Sequence, residues 1–210
     1  MAAGWIKIYA MHANSLQQLV GNTDIYLLDQ IMKGRYQQED IILDAGCGIG
    51  RNMHWFLLNA IKCYGIDSDS TAIETLQLQH PLLSSDRFQT AAVDQLPFPD
   101  CYFDHVISSA VLHFAKSTHH FKQMLSAMVR VLKPGGSLFI RMTADIGIEN
   151  KVEMIGDGVY SIPDGSTRFL LTKSLLAQLL QDCPLELIEP LKTVNVDDTR
   201  CMTTLMMQRL

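Results

Sequence analysis

Cysteine is scarce and poorly placed for chemistry: five residues, at 47, 63, 101, 183 and 201, an odd number without a C-x-x-C pair. This spacing argues against a disulfide framework or a cysteine-based zinc site and predicts reduced thiols. No run of five basic residues occurs, and 17 Lys and Arg are outnumbered by 22 Asp and Glu, giving a formal net charge of −5. A large nucleic-acid footprint is therefore not expected, and no nucleic acid is anticipated as a partner. No stretch of 18 apolar residues exists, and the Met1–His12 segment lacks the basic and apolar regions of a secretory leader. The expectation is a cytoplasmic protein with no membrane partner. Internal repeats and low-complexity segments are missing too.

What is present is enough for one well-filled domain: 210 residues, 48% of them hydrophobic. Residues 5–34 carry apolar positions at helical spacing (Leu16, Leu19, Val20, then Ile25, Leu27, Leu28, Ile31, Met32). Asn22-Thr23-Asp24 can cap a second helix, and Gly34 can end it. From residue 39 the pattern alternates. Strands are expected over 41–44, 63–66, 87–93, 103–108 and 137–142. Helices are expected over 52–60, about 69–79 and about 117–132. Strands separated by helices predict parallel pairing with helices on both faces. Residues 143–168 read as a long connection of no clear period, and long ordered connections often serve function. Thr172 caps a final helix to about Gln181. Strand-like stretches over 185–196, with Pro190 as an interruption, and 201–208 then close the chain as an antiparallel hairpin.

The chemistry concentrates where the first strand, ending at Asp44, runs into Ala45-Gly46-Cys47-Gly48-Ile49-Gly50. A helix follows, and the second strand ends at Asp67. Glycines let a backbone approach a ligand, and an acid at the end of the second strand can accept from both ribose hydroxyls. The loop lacks the G-x-G-x-x-G spacing. Asp44, just ahead of it, would repel a pyrophosphate at the helix N-terminus. S-adenosylmethionine carries no phosphate but has a sulfonium and an ammonium, which Asp44 suits. Ser68, next to Asp67, would lie against the adenine.

Ile42-Leu43-Asp44-Ala45-Gly46-Cys47-Gly48-Ile49-Gly50 and Val131-Leu132-Lys133-Pro134-Gly135-Gly136-Ser137-Leu138 resemble the motifs of class I S-adenosylmethionine-dependent methyltransferases. The resemblance covers residues 39–142, about half the chain. It is nearest to the small type 11 members and more distant from tellurite-resistance methyltransferases. It implies an α/β, Rossmann-like sheet of seven mostly parallel strands with helices on both faces and an antiparallel C-terminal strand. In one domain it implies an N-terminal helical lid (1–38), a cofactor core (39–142), a substrate-pocket connection (143–171) and a C-terminal helix and hairpin (172–210).

The resemblance also implies cofactor contacts from Asp94, to the adenine amino group, and from its neighbour Gln95. It places a packed cysteine at Cys47 in the loop. Ser108 and Ser109, leaving the fourth strand, would face the methionine moiety through their carbonyls. His113 follows at the carboxyl end of the sheet, where ligands of open parallel sheets bind. It could act as a general base, with a packed helix-start histidine as the plainer reading. His113, His119 and His120 do not make metal spacing, so no metal is expected.

The sequence thus predicts in-line methyl transfer to a small-molecule acceptor, with the oligomeric state left open. No N-P-P-Y-like motif follows the fourth strand; Ser108-Ser109-Ala110-Val111 stands there, which disfavours amino-group methylation of DNA. Arg141 and Arg168 could meet an anionic acceptor. The rival readings are a non-catalytic S-adenosylmethionine-binding regulator and, less favoured by Asp44 and the loop spacing, a nicotinamide-dependent oxidoreductase.

Overall fold

The computed structural model describes residues 13–210, with side chains from Leu16 onward. The helical stretch expected over 5–34 resolves into α1 (Ala13–Val20) and α2 (Ile25–Met32); its residues 5–12 lie outside the described part. Asp24 caps α2, accepting from the Tyr26 amide at 2.9 Å.

The core then alternates as β1 (Ile41–Ala45), α3 (His54–Leu58), β2 (Lys62–Asp67), α4 (Ser70–Gln79), β3 (Phe88–Thr90), β4 (Phe103–Ser109), α5 (Thr118–Val131) and β5 (Leu132–Ala144). Next come β6 (Glu153–Met154), β7 (Val159–Ser161) and β8 (Thr167–Phe169). They are followed by α6 (Lys173–Asp182), β9 (Leu185–Leu187), β10 (Lys192–Val196) and β11 (Arg200–Arg209).

The main sheet runs in the order β10-β11-β5-β4-β1-β2-β3, with β9 also pairing β11. Strands β1 to β5 pair in parallel, and β11 lies antiparallel to β5 and to both β9 and β10. Among the described residues the sheet has eight strands rather than the expected seven. The stretch 185–196 is cut at Pro190, which lacks an N–H for the ladder, and its two halves pair with different parts of β11. β3 is shorter than expected because the chain leaves the sheet after Thr90. The 143–171 connection is more regular than its sequence promises: β6, β7 and β8 form a separate three-stranded antiparallel sheet.

Period-two alternation along β1 divides the core. Leu43 and Ala45 pack with Phe121, Leu125 and Met128 of α5 and with Leu176 and Leu179 of α6. Ile42 joins Leu27, Phe56, Ile73 and Leu76 on the other face. The chain builds outward from β1 to β3, then crosses back to place β4 on the other side of β1. This reversal opens a crevice above the carboxyl ends of β1 and β4, the place where open α/β sheets bind ligands.

Candidate functional site

A cavity of about 720 Å³ occupies that crevice, within the range of small-molecule sites. Its floor is the turn after β1. The amides of Gly46 and Cys47 both donate to the Ile66 carbonyl at 2.8 Å, which ties the loop to the end of β2. Gly46 has φ +88°, and a Cβ there would lie 2.3 Å from Val111 Cγ2. Only glycine allows the loop to pass so close beneath the segment leaving β4.

Asp67, at the end of β2, faces the cavity. One carboxylate oxygen accepts from the Gly48 amide at 2.8 Å and the other from the Asp69 amide at 2.9 Å. Asp69, not Asp67, caps α4 through the Thr71 amide. The Asp67 oxygens each retain acceptor capacity toward the cavity. Asp94 lies on the same wall, brought there by the turn after β3, with His120 of α5 at 3.7 Å.

Of the residues read from sequence as cofactor contacts, Gly46, Cys47, Gly48, Asp67, Ser68, Asp94 and Ser109 line the cavity. Asp44, Gly50, Gln95 and Ser108 do not. Gly50 is turned toward Leu76, Gln95 is exposed, and Ser108 is fully buried with its hydroxyl unpartnered among the described residues. Asp44 lies beneath the loop, only 1% exposed, with both carboxylate oxygens lacking a hydrogen-bond partner among the described residues. Burial pushes its carboxyl up to about 7, with nearby Asp67 adding to the rise and Arg51 opposing it. The Cys47 thiol is likewise driven up by burial and by Asp44 and Asp67, so it stays protonated and is no nucleophile.

His113 is not among the cavity-lining residues. It sits in a 3-10 turn, Leu112–Phe114, 7% exposed, with its ring edge-on to Phe114 at 4.5 Å between centroids. Burial, helped by Arg168 and Arg200, lowers its pKa to about 4. A neutral, weakly basic imidazole held off the cavity matches the packing alternative, not a general base at neutral pH. Arg141 is committed as well: it donates to Asp24 at 2.9 Å and its guanidinium lies 5.0 Å from the Tyr26 ring centroid.

Sequence reasoning did not single out Arg51, Asn52, Phe114, Lys116, Met124 or the half-buried His120 as lining residues. Val111 and Phe114 arrive through a strained turn, since Ala110 has φ +65° and its amide is held by the Arg141 carbonyl at 2.7 Å. Side-chain spacing gives no sign of such a turn. Among the described residues no cluster of His, Cys, Asp and Glu fits a metal ion, and no helix is long and apolar enough to cross a membrane.

Comparison with known proteins bears on this site. The methyltransferase domain family matches residues 43–140. The tRNA N(3)-cytidine methyltransferase METTL6 of Mus musculus is 27% identical over 191 residues, covering 81% of this chain and 66% of that protein. The tRNA (carboxymethyluridine(34)-5-O)-methyltransferase of Arabidopsis thaliana is 36% identical over 109 residues, 50% of this chain and 24% of that one. The chain therefore spans between about a quarter and two thirds of the length of these two relatives. A SAM-dependent methyltransferase from Methanosarcina mazei shares the fold, with TM-score 0.71 and 21% identity over 86% of this chain and 97% of that one.

These relatives overturn the expectation that nucleic acid is not anticipated as a partner, and they leave the small-molecule acceptor without confirmation. Net charge averages over a whole surface, whereas RNA is met by a local patch.

Proposed function

For a chain whose residues 43–140 form a class I S-adenosylmethionine-dependent methyltransferase domain of type 11, we propose methyl transfer from S-adenosylmethionine to a nucleoside of tRNA. The donor half rests on the buried Asp44 carboxylate, whose two oxygens have no partner among the described residues beneath the glycine loop. Buried polar atoms are nearly always satisfied, and a cationic ligand above the loop compensates this one. The space at Gly48 is open, with no atom of the described residues within 4 Å of a would-be Cβ, so the backbone can cradle a ligand. When bound, the donor supplies a methyl on a positively charged sulfur, and the carbon–sulfur bond breaks as an acceptor lone pair forms the new bond.

The protein's own part is orientation. Asp67 accepts from the ribose hydroxyls, Ser68 and Asp94 border the adenine, and Gly46 and Ser109 border the methionine end. Alignment of two reactants gives effective molarities of about 10⁵–10⁸ M, so no side-chain base is required for an acceptor that already presents a lone pair. The acceptor half is supported by the tRNA relative whose match extends over 191 residues, well beyond 43–140.

Incubation of the chain with methyl-labelled donor and either total tRNA or a small-metabolite extract tests this reading. Label is expected in nucleosides digested from the tRNA. Label confined to the metabolite extract would overturn the acceptor, and donor binding without label in either would favour the regulatory binder.

Asp44 gives the donor site a pH signature. Below about pH 7 its carboxyl is protonated in the free protein. A bound cation favours the ionised form, so binding releases a proton and affinity rises with pH. Between pH 5.5 and 7, below the range in which an α-amino group titrates, the rise is expected to approach about tenfold per pH unit. Calorimetry with S-adenosylhomocysteine in buffers of different ionisation enthalpy measures it, and Asp44→Asn should flatten the profile. A profile already flat in the unaltered protein would detach Asp44 from the ligand.

A further inference from the structure

We infer that Phe114 and Arg168 form the seat of the acceptor nucleotide, the base stacking on the open face of Phe114 and its phosphate meeting Arg168. The inference rests on the tRNA reading above and says where on this surface that acceptor binds. Phe114 lines the cavity yet is 60% exposed, an unusual state for a large aromatic ring in a chain with so well filled a core. Its backbone is held by the turn, with its amide donating to the Val111 carbonyl at 2.9 Å, and the buried His113 ring braces it from the side. A ring fixed in this way presents a face at little cost in conformational entropy.

The charged group set against the ring is a cation. The Arg168 guanidinium, on β8, stands 5.1 Å from the Phe114 ring centroid, and its hydrogen-bond partner is the Thr167 carbonyl. Lys116, exposed on the cavity rim, and Arg168 form no salt bridge among the described residues. Arg200, the other guanidinium near His113, is 3.7 Å from Asp164. In a chain with more acids than bases, two cations without a salt bridge, Arg168 within electrostatic reach of Asp164, stand beside an exposed ring at the mouth of the donor cavity and match an anionic, aromatic ligand. Stacking platforms flanked by cations are how proteins hold unstacked nucleotides, because every base has a π-face and every nucleotide a phosphate. The small β6–β8 sheet delivers Arg168 to this position by packing β8 against the 3-10 turn.

The test measures binding of total tRNA and of a mixed-sequence single-stranded oligoribonucleotide by fluorescence anisotropy, with S-adenosylhomocysteine present. It compares the unaltered chain with Phe114→Tyr, Phe114→Leu and Arg168→Gln. Phe114→Tyr should bind as the unaltered chain does. Phe114→Leu, which keeps apolar volume but no π-face, should lose about tenfold or more. Arg168→Gln should weaken binding and reduce the slope of log affinity against log salt by about 0.7, the value for one phosphate contact. Melting temperatures and S-adenosylhomocysteine affinities of the variants are measured alongside.

Equal RNA binding by the Leu and Tyr variants, with tRNA methylation intact, would remove the seat but leave the tRNA reading standing. Loss of S-adenosylhomocysteine affinity in Phe114→Leu without loss of RNA binding would give the ring to the donor instead and overturn the inference. Phe114-dependent binding of the oligoribonucleotide without methylation of any tRNA would keep the seat and refute the tRNA reading. Failure of the unaltered chain to bind either RNA would refute both.

Discussion

Asp67→Ala is expected to weaken S-adenosylhomocysteine binding by roughly ten- to a thousandfold while leaving a folded protein. Hydrogen bonds to a charged group contribute about 1.5–3 kcal/mol each, and two ribose hydroxyls would reach the same carboxylate. Water entering the truncated site recovers part of that sum, hence the range. The substitution has a second effect, since Asp67 also fixes the Gly48 amide at 2.8 Å and so shapes the loop that borders the ligand. Asp67→Asn, which keeps one acceptor oxygen, should fall between the two. Calorimetry gives the affinities and circular dichroism the fold. An unchanged affinity in a folded Asp67→Ala protein would take Asp67 out of the site.

Gly136→Ala is expected to be strongly destabilising although it adds only a single methyl. The Lys133-Pro134-Gly135-Gly136 stretch lies where the β4–β5 register shifts: Phe103 pairs with Leu132, but His105 pairs with Ser137. The extra residues of β5 bulge there, and a Cβ at Gly136 would lie 2.7 Å from the Asp104 carbonyl oxygen and 2.9 Å from that of Lys133. Both are backbone atoms and cannot swing aside. The neighbourhood is also tied down. Asp104 accepts from the Ile41 amide at 2.9 Å and from Lys133 at 2.7 Å, while His105 bonds Ser137 at 2.6 Å and Asp40 at 2.9 Å. Overpacking costs about 1–3 kcal/mol, and a backbone clash belongs at the upper end. For a chain of this size about 3 kcal/mol corresponds to a fall in Tm of roughly 6–12 °C. Scanning calorimetry checks this. A fall under 2 °C would mean that the bulge can relax, and that the glycine is not required by packing.

These two residues also show how far local sequence reaches. Gly136 belongs to the Val131–Leu138 motif, and Asp67 is marked by its position at the end of the second strand. Each states a local demand: a backbone that a side chain would block, or an acceptor at a strand end. Such demands are written in a few consecutive residues, so the alternating fold, the donor loop and the donor itself are legible in the chain. Strand limits are less so, because Pro190 and the early exit of β3 depend on which neighbours remain available for pairing.

What the sequence by itself determined is the donor side: the strand, glycine loop, helix and strand-end acid, with Asp44 in place of a pyrophosphate-tolerant residue. The tertiary structure decided the rest. It joined Arg141 to Asp24, drew His113 off the cavity, and put Phe114 beside Arg168 at the rim. Neither pair is close in the chain, and no period links its members. Net charge was a poor guide to nucleic-acid partners for the same reason. Composition counts charges without regard to place, whereas a ligand responds to the few that folding gathers within reach, and β8, β4 and the turn after it meet only once the sheets are packed.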